Sequence, residues 1–130
     1  MNAGGDYFPV WGTCLGWEWM AQAVAGDYPV LSMGFDAENL TQPWGIIPGV
    51  EETSWMLSDF PAGLLDRASK EPITSNAHMQ GVTPQDFADS GLDEIFRVLA
   101  VNADREGRQY VSTVEAFQSP MYGVQWHPEK

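Results

Sequence analysis

The sequence is poor in cysteine, histidine and basic residues, and it contains no long apolar run. Its 130 residues include one cysteine, two histidines and six lysines or arginines. A single cysteine excludes an internal disulfide framework, and with only His78 and His127 to join it a structural zinc site is not expected. Because no apolar stretch approaches the roughly 18–20 residues of a membrane span, a transmembrane helix is not expected either.

The scarcity of basic residues leaves the chain strongly acidic. Eighteen Asp and Glu residues against six Lys and Arg residues give a formal net charge of −12 at pH 7. A field of that sign repels nucleic acids and anionic membranes, so neither is expected as a partner. It does not exclude an anionic substrate, because a few arginines or backbone N–H groups can reverse the potential inside a cleft.

Hydrophobic residues make up 44% of the chain, and their spacing alternates between strand and helix patterns. Strands or extended segments are predicted at residues 7–11, 29–35, 73–78, 109–117 and 121–126. Helices are predicted at residues 16–25, 60–69 and 84–102, and a loop or hairpin at the polar residues 36–48. This mixture, in a chain long enough for one hydrophobic core, predicts an α/β fold.

The only cysteine lies between two glycines where a predicted strand meets a predicted helix, in the sequence Gly12-Thr13-Cys14-Leu15-Gly16. This is the pattern of a nucleophile elbow, a tight turn in which both glycines keep the backbone clear of the nucleophile. The helix N-terminus is expected to lower the pKa of the thiol, and the backbone N–H of Leu15 to donate to an oxyanion. The alternative is a buried structural cysteine beside an ordinary turn.

The last residues, YGVQWHPEK, supply a histidine and a carboxylate at the end of another predicted strand. Pro128 keeps the chain extended, and in an extended chain residues i and i+2 face the same side. Glu129 can therefore orient the imidazole of His127, which gives the base and the orienting group that a cysteine nucleophile requires. A charged tail beside a structural histidine is the alternative.

The segments FPVWGTCLGW and YGVQWHPEK resemble the two hallmark segments of the class I glutamine amidotransferase-like superfamily, and within it those of the gamma-glutamyl hydrolases. Typical amidotransferase domains read closer to Gly-x-Cys-x-Gly-x-Gln and Phe-His-Pro-Glu, whereas this chain has Glu18 in the glutamine position and Trp126 before the histidine. The segment EPITSNAHMQGVTPQDF is similar to the hydrolase segment that carries Asn-x-His, here Asn76 and His78. The similarity covers essentially the whole chain.

For the fold, the resemblance implies a partial flavodoxin-like three-layer sandwich with a central, mostly parallel sheet. Residues 1–130 would form a single gamma-glutamyl hydrolase-like domain that is truncated at both ends, because proteins of this family are longer. The absent parts would be the N-terminal strands, with a loop that offers the second oxyanion N–H, and a closing C-terminal helix. Such a fragment is expected to be inactive and poorly soluble on its own.

For the site, the resemblance implies Cys14 as nucleophile, His127 as general base and acid, and Glu129 as the third member of the triad. It implies His78 and Asn76 as substrate-binding residues, with His78 near the glutamyl group of the substrate. No metal or cofactor is implied.

The implied reaction is hydrolysis of γ-glutamyl amide bonds through a thioester on Cys14. The implied substrates are poly-γ-glutamylated folates or antifolates, with a homodimer as one state of the full-length protein. The implied location is the vacuole, the lysosome or the extracellular space, although the first ten residues lack the features of a signal peptide. Two alternatives stay open: a glutaminase domain that feeds ammonia to a partner, and a catalytically inactive remnant or binding domain.

Overall fold

The computed structural model describes residues 9–61 and 63–129 of the chain. In chain order its elements are β1 Val10–Thr13, α1 Leu15–Ala25, β2 Ser32–Gln42, α2 Leu64–Ala68, β3 Thr74–Gly81, α3 Pro84–Asp89, β4 Phe96–Ala103, β5 Gln109–Ala116 and β6 Met121–Val124. Two short 3-10 turns occupy Val50–Glu52 and Leu92–Glu94. This order of helices and strands confirms the predicted α/β class.

The strands form a four-stranded sheet in the order β1-β6-β5-β4 and a separate ribbon of β2 with β3. β1 and β6 are parallel, whereas β6 with β5, β5 with β4 and β2 with β3 are antiparallel. The prediction of a mostly parallel sheet is therefore wrong for the described strands. Residues 104–108 join β4 to β5 and residues 117–120 join β5 to β6, and links this short allow only antiparallel neighbours.

The prediction of one helix over residues 84–102 is wrong beyond Asp89. Thr83 caps α3, and its side chain accepts a hydrogen bond from the backbone N–H of Asp86. Gly91, with φ of 84°, follows the end of this helix, and the chain then enters β4. The apolar residues of this segment fit a helical spacing, but pairing with β5 selects the strand.

The prediction of a loop or hairpin over residues 36–48 is wrong for its first half, because residues 36–42 continue β2 as a single strand. The ladder between β2 and β3 shifts register twice, and the shifts enclose Gly34, with φ of 85°, and Asn39, with φ of 52°. Turn-forming residues are thus accommodated as bulges inside a strand. The other predicted elements occur with shifted ends, and residues 7 and 8 of the first predicted strand lie outside the described residues.

Two apolar clusters hold the four-stranded sheet. In one, Trp17 of α1 and Phe87 of α3 pack with strand residues, and the Trp17 ring meets the Phe96 ring edge-on with centroids 5.7 Å apart. In the other, Trp44 packs against Trp126 with centroids 5.5 Å apart. The sheet is therefore covered by helices α1 and α3 and, through the second cluster, by the segment between β2 and β3. None of the described helices has the length and apolar character that a membrane span requires.

Candidate active site

Cys14 forms the turn between β1 and α1. Its backbone has φ of 52° and ψ of −105°, a conformation that costs a non-glycine residue energy and persists only where its surroundings hold it. Its N–H donates to the carbonyl of Val124 on β6 at 2.8 Å, and its carbonyl accepts from the N–H of Glu18 at 3.0 Å. The structure thus places Cys14 in a strand–turn–helix with the strained backbone of a nucleophile elbow.

The two glycines that flank this turn have different surroundings. A Cβ atom on Gly12 would lie 2.8 Å from both the backbone nitrogen of Trp17 and the Cε of Met20. A Cβ atom on Gly16 would meet no heavy atom within 4 Å among the described residues. The close approach of α1 therefore requires glycine at position 12, whereas the expected steric reason for glycine at position 16 is not found.

Two buried polar side chains lie beside the thiol. The Sγ atom of Cys14 is 3.7 Å from Nε2 of Gln125 and 4.0 Å from Oε2 of Glu18. The same Nε2 donates to the Glu18 carboxylate at 2.9 Å, and Glu18 is only 4% exposed. The Gln125 carbonyl oxygen Oε1 is buried without a hydrogen-bond partner among the described residues. The partly buried thiol therefore has fixed polar side chains on its inner side.

The pKa of the Cys14 thiol is raised. Burial is the largest cause, and the nearby carboxylates of Glu18 and Glu129 act in the same direction. The N–H of Leu15 and the amide of Gln125 oppose them. The prediction that the helix N-terminus leaves the thiol with a lowered pKa is therefore wrong, because burial and negative charge outweigh the Leu15 N–H. Burial also raises the pKa of Glu18.

His127 and Glu129 form the predicted pair at the end of the neighbouring strand. The backbone N–H of His127 donates to the carbonyl of Ser75 on β3 at 2.8 Å. Its Nδ1 atom lies 2.8 Å from Oε1 of Glu129, whose side chain is 61% exposed. With Nδ1 occupied, Nε2 is the ring nitrogen that remains for proton transfer. In the described part of the chain the thiol makes its hydrogen bonds to Glu18, Gln125 and a backbone carbonyl, and none to His127.

A groove of about 280 Å³ opens at the thiol. It is lined by Cys14, Leu15, Glu18, Met33, Glu38 and residues 77–80. His78 therefore lines the same groove as the thiol. Asn76 is 1% exposed and lies behind His78, so it does not line the groove. No three His, Cys, Asp or Glu side chains of the described ranges converge as a metal site would require.

Neither Glu18 nor Gln125 is among the site residues that the sequence pattern predicts. Glu18 lies four residues after Cys14 on a helix, and residues at this spacing share a helix face, so the pattern could have identified it. Gln125 reaches the thiol because β1 pairs in parallel with β6, with Thr13 opposite Val124. No local pattern signals that long-range pairing.

Comparison with known proteins shows similarity to the same family along the whole chain. Residues 2–130 match the family Glutamine amidotransferase class-I. The chain is 39% identical to gamma-glutamyl hydrolase of Homo sapiens over 97% of its own length and 39% of that protein. It is 37% identical to gamma-glutamyl hydrolase B of Dictyostelium discoideum over its full length and 37% of that protein. The predicted resemblance is thereby confirmed, and the chain spans about two fifths of the length of these relatives.

Proposed function

Because this chain belongs to the class I glutamine amidotransferase family, we propose that its protein hydrolyses γ-glutamyl amide bonds by cysteine catalysis. The observation that carries the proposal is Cys14, held in a strained strand–helix turn at the edge of a groove. The His127–Glu129 pair at the end of the adjacent strand supports it. The relatives named gamma-glutamyl hydrolase favour this reaction over that of a glutaminase.

In the proposed reaction His127 takes the thiol proton, and the Cys14 sulfur attacks the carbonyl carbon of a γ-glutamyl amide. The N–H of Leu15 donates to the oxyanion of the tetrahedral intermediate. The C–N bond then breaks as His127 returns the proton to the leaving amine, which leaves a thioester on Cys14. His127 next deprotonates a water molecule, which hydrolyses the thioester and restores the thiol. The raised pKa of the thiol makes a base such as His127 necessary.

Poly-γ-glutamylated folates or antifolates are the proposed substrates. Exposed apolar side chains on the groove suit the aromatic part of such a molecule, since Met33 is 63%, Met79 56% and Leu15 53% exposed. The flavodoxin-like architecture and a vacuolar, lysosomal or extracellular location belong to the same proposal and rest on the resemblance.

The test is to incubate the protein that contains this chain with pteroyl-penta-γ-glutamate and, separately, with glutamine. We expect shortened pteroyl-γ-glutamates by chromatography and no more ammonia from glutamine than in a blank. The Cys14→Ala variant is the control that identifies hydrolysis by this site. Ammonia from glutamine without cleavage of the γ-glutamyl chain would instead support a glutaminase, and no reaction with either compound would support an inactive remnant.

A further inference from the structure

Both ring nitrogens of His78 face oxygen atoms. Nδ1 lies 2.9 Å from the backbone carbonyl oxygen of Gln80, and Nε2 lies 3.1 Å from Oδ1 of Asn76. A carbonyl oxygen only accepts hydrogen bonds, so each contact needs a proton on the ring nitrogen. A neutral imidazole carries one such proton and an imidazolium carries two. This arrangement is therefore complete only when the ring is charged.

Reversing the side-chain amide of Asn76 would give a neutral His78 ring a donor at Nε2, but the surroundings of Asn76 oppose this reversal. Its Nδ2 lies within 3.4 Å of three acceptors: the carbonyl oxygens of Leu40 and Thr74, and Oε1 of Gln42. Reversal would place the amide oxygen, which cannot donate, against all three acceptors. Oδ1 of Asn76 is thereby held towards His78.

The Tyr110 hydroxyl also contacts Oδ1 of Asn76. The hydroxyl lies 2.9 Å from Oδ1 of Asn76 and 3.0 Å from Oε1 of Gln42. The Tyr110 ring meets the His78 ring edge-on with centroids 4.7 Å apart. Burial raises the pKa of Tyr110, which keeps its hydroxyl protonated as a donor. Tyr110 and His78 therefore share one amide oxygen as their acceptor.

We propose that Asn76 and Tyr110 are positioning residues that act through His78, locking the ring into the groove wall only while both of its nitrogens are protonated. When the ring loses a proton, the Nδ1–H bond to the fixed backbone carbonyl of Gln80 remains, and the contact with Asn76 is lost. The charged ring places a cation in the groove wall, and the neutral ring does not. This inference rests on the proposed function, because it assigns a substrate-binding role to the charge of His78.

Charged and titratable groups from several elements surround the ring. They are Tyr110 on β5, Asp104 after β4, His127 after β6, Glu38 on β2 and Cys14 before α1. Burial is the largest influence and lowers the pKa of His78, and His127 acts in the same direction. The Gln80 carbonyl and Asp104 oppose them. The ring is therefore expected to change its charge below the ordinary imidazole range.

The first experiment follows the two histidines by NMR after labelling their ring nitrogens with 15N, using Glu129→Gln to assign His127. On raising the pH we expect Nε2 of His78 to lose its proton and Nδ1 to keep it. Tyr110→Phe leaves the amide oxygen to His78 alone and so strengthens its bond with Nε2–H. The midpoint should therefore rise by up to about 1 pH unit, at most the equivalent of one hydrogen bond. Tyr28→Phe is the matched control, because its hydroxyl bonds Asp86 rather than Asn76.

Loss of the Nδ1 proton first, or equal midpoints in the two phenylalanine variants, would overturn the inference. The second readout is kinetic: KM for pteroyl-penta-γ-glutamate should rise across the His78 midpoint, because an anionic substrate loses a cation, and kcat should change less. A KM that does not follow this midpoint contradicts the binding role. A protein with the expected NMR behaviour but no hydrolysis would contradict the proposed function instead, so the two failures are distinguishable.

Discussion

The two strand ends that meet at the candidate site are held in different ways. At the cysteine end, the backbone N–H of Cys14 bonds β6, α1 packs against Gly12, and Glu18 is buried beside the thiol. At the histidine end, one backbone bond to Ser75 and one exposed carboxylate hold the ring. The turn that carries the thiol is therefore positioned by packing, whereas the base, 24% exposed, is positioned by a few bonds, one of them to an exposed carboxylate. Substitutions around the thiol should change stability and reactivity together, and those around the base should change reactivity alone.

The largest expected effect comes from removing the thiol. Cys14→Ala should reduce hydrolysis of pteroyl-penta-γ-glutamate to the blank rate, because it removes the sulfur that forms the thioester. Mass spectrometry after iodoacetamide treatment should show one label in the unmodified chain and none in the variant. Substantial turnover by Cys14→Ala would contradict cysteine catalysis.

The next largest effect should come from removing the base. His127→Ala should lower kcat/KM by about 10²–10⁴, because both thiol deprotonation and leaving-group protonation fail. The backbone bond to Ser75 survives this substitution, so the urea midpoint should change little. A variant that unfolds easily would contradict the division between a packed thiol and a lightly held base.

Substitutions of the two glycines that flank Cys14 test the packing at the cysteine end directly. Gly12→Ala places a methyl group 2.8 Å from a backbone nitrogen of α1, and overpacking of this kind costs about 1–3 kcal/mol. Gly16→Ala meets open space in the described structure and adds a better helix former to α1, for a gain of up to about 1 kcal/mol. Urea unfolding of both variants measures the difference. Equal free energies of unfolding would show that the close approach at Gly12 has no energetic weight.

Glu18→Gln isolates the charge beside the thiol. It removes a carboxylate that raises the pKa of Cys14, so the pH midpoint of alkylation by iodoacetamide should move downwards. Because burial raises the pKa of Glu18, its charged form destabilises the fold once the pH rises above the ordinary carboxyl range. The variant should therefore gain stability at neutral pH and little at pH 3. Glu38→Gln, on the same groove, is the matched control and should leave the alkylation midpoint unchanged.

Local patterns were sufficient to predict the parts of the site that lie next to strand ends. Gly-x-Cys-x-Gly between a strand and a helix predicts the turn at Cys14, and His-Pro-Glu predicts the contact of His127 with Glu129. Both predictions depend on neighbouring residues, whose relative positions follow from strand and helix geometry. The same is true of α1, whose apolar spacing predicts it almost to its ends.

The features that the sequence did not predict depend on contacts between distant segments. Phe96–Ala103 has apolar residues that suit a helix, and only its pairing with Gln109–Ala116 makes it a strand. Gln125 reaches Cys14 through the pairing of β1 with β6. The direction of the thiol pKa change also required the structure, because burial is a property of the assembled fold.

The smallest effect should come from Glu129→Gln, which tests how weakly the histidine end is held. The side chain is 61% exposed, and an exposed ion pair is worth about 1 kcal/mol at most. Glutamine retains an oxygen that accepts from Nδ1 of His127, so kcat/KM should fall by about fivefold at low salt. Since salt screens exposed charges, the difference from the unmodified protein should shrink at 0.5 M NaCl. Glu71→Gln, which breaks the exposed pair with Arg67, is the matched control and should leave kcat/KM unchanged. The loss from Glu129→Gln could instead be as large as that from His127→Ala and independent of salt. That outcome would mean that the carboxylate stabilises a desolvated imidazolium during the reaction. The two ends of the site would then be equally buried when substrate is bound.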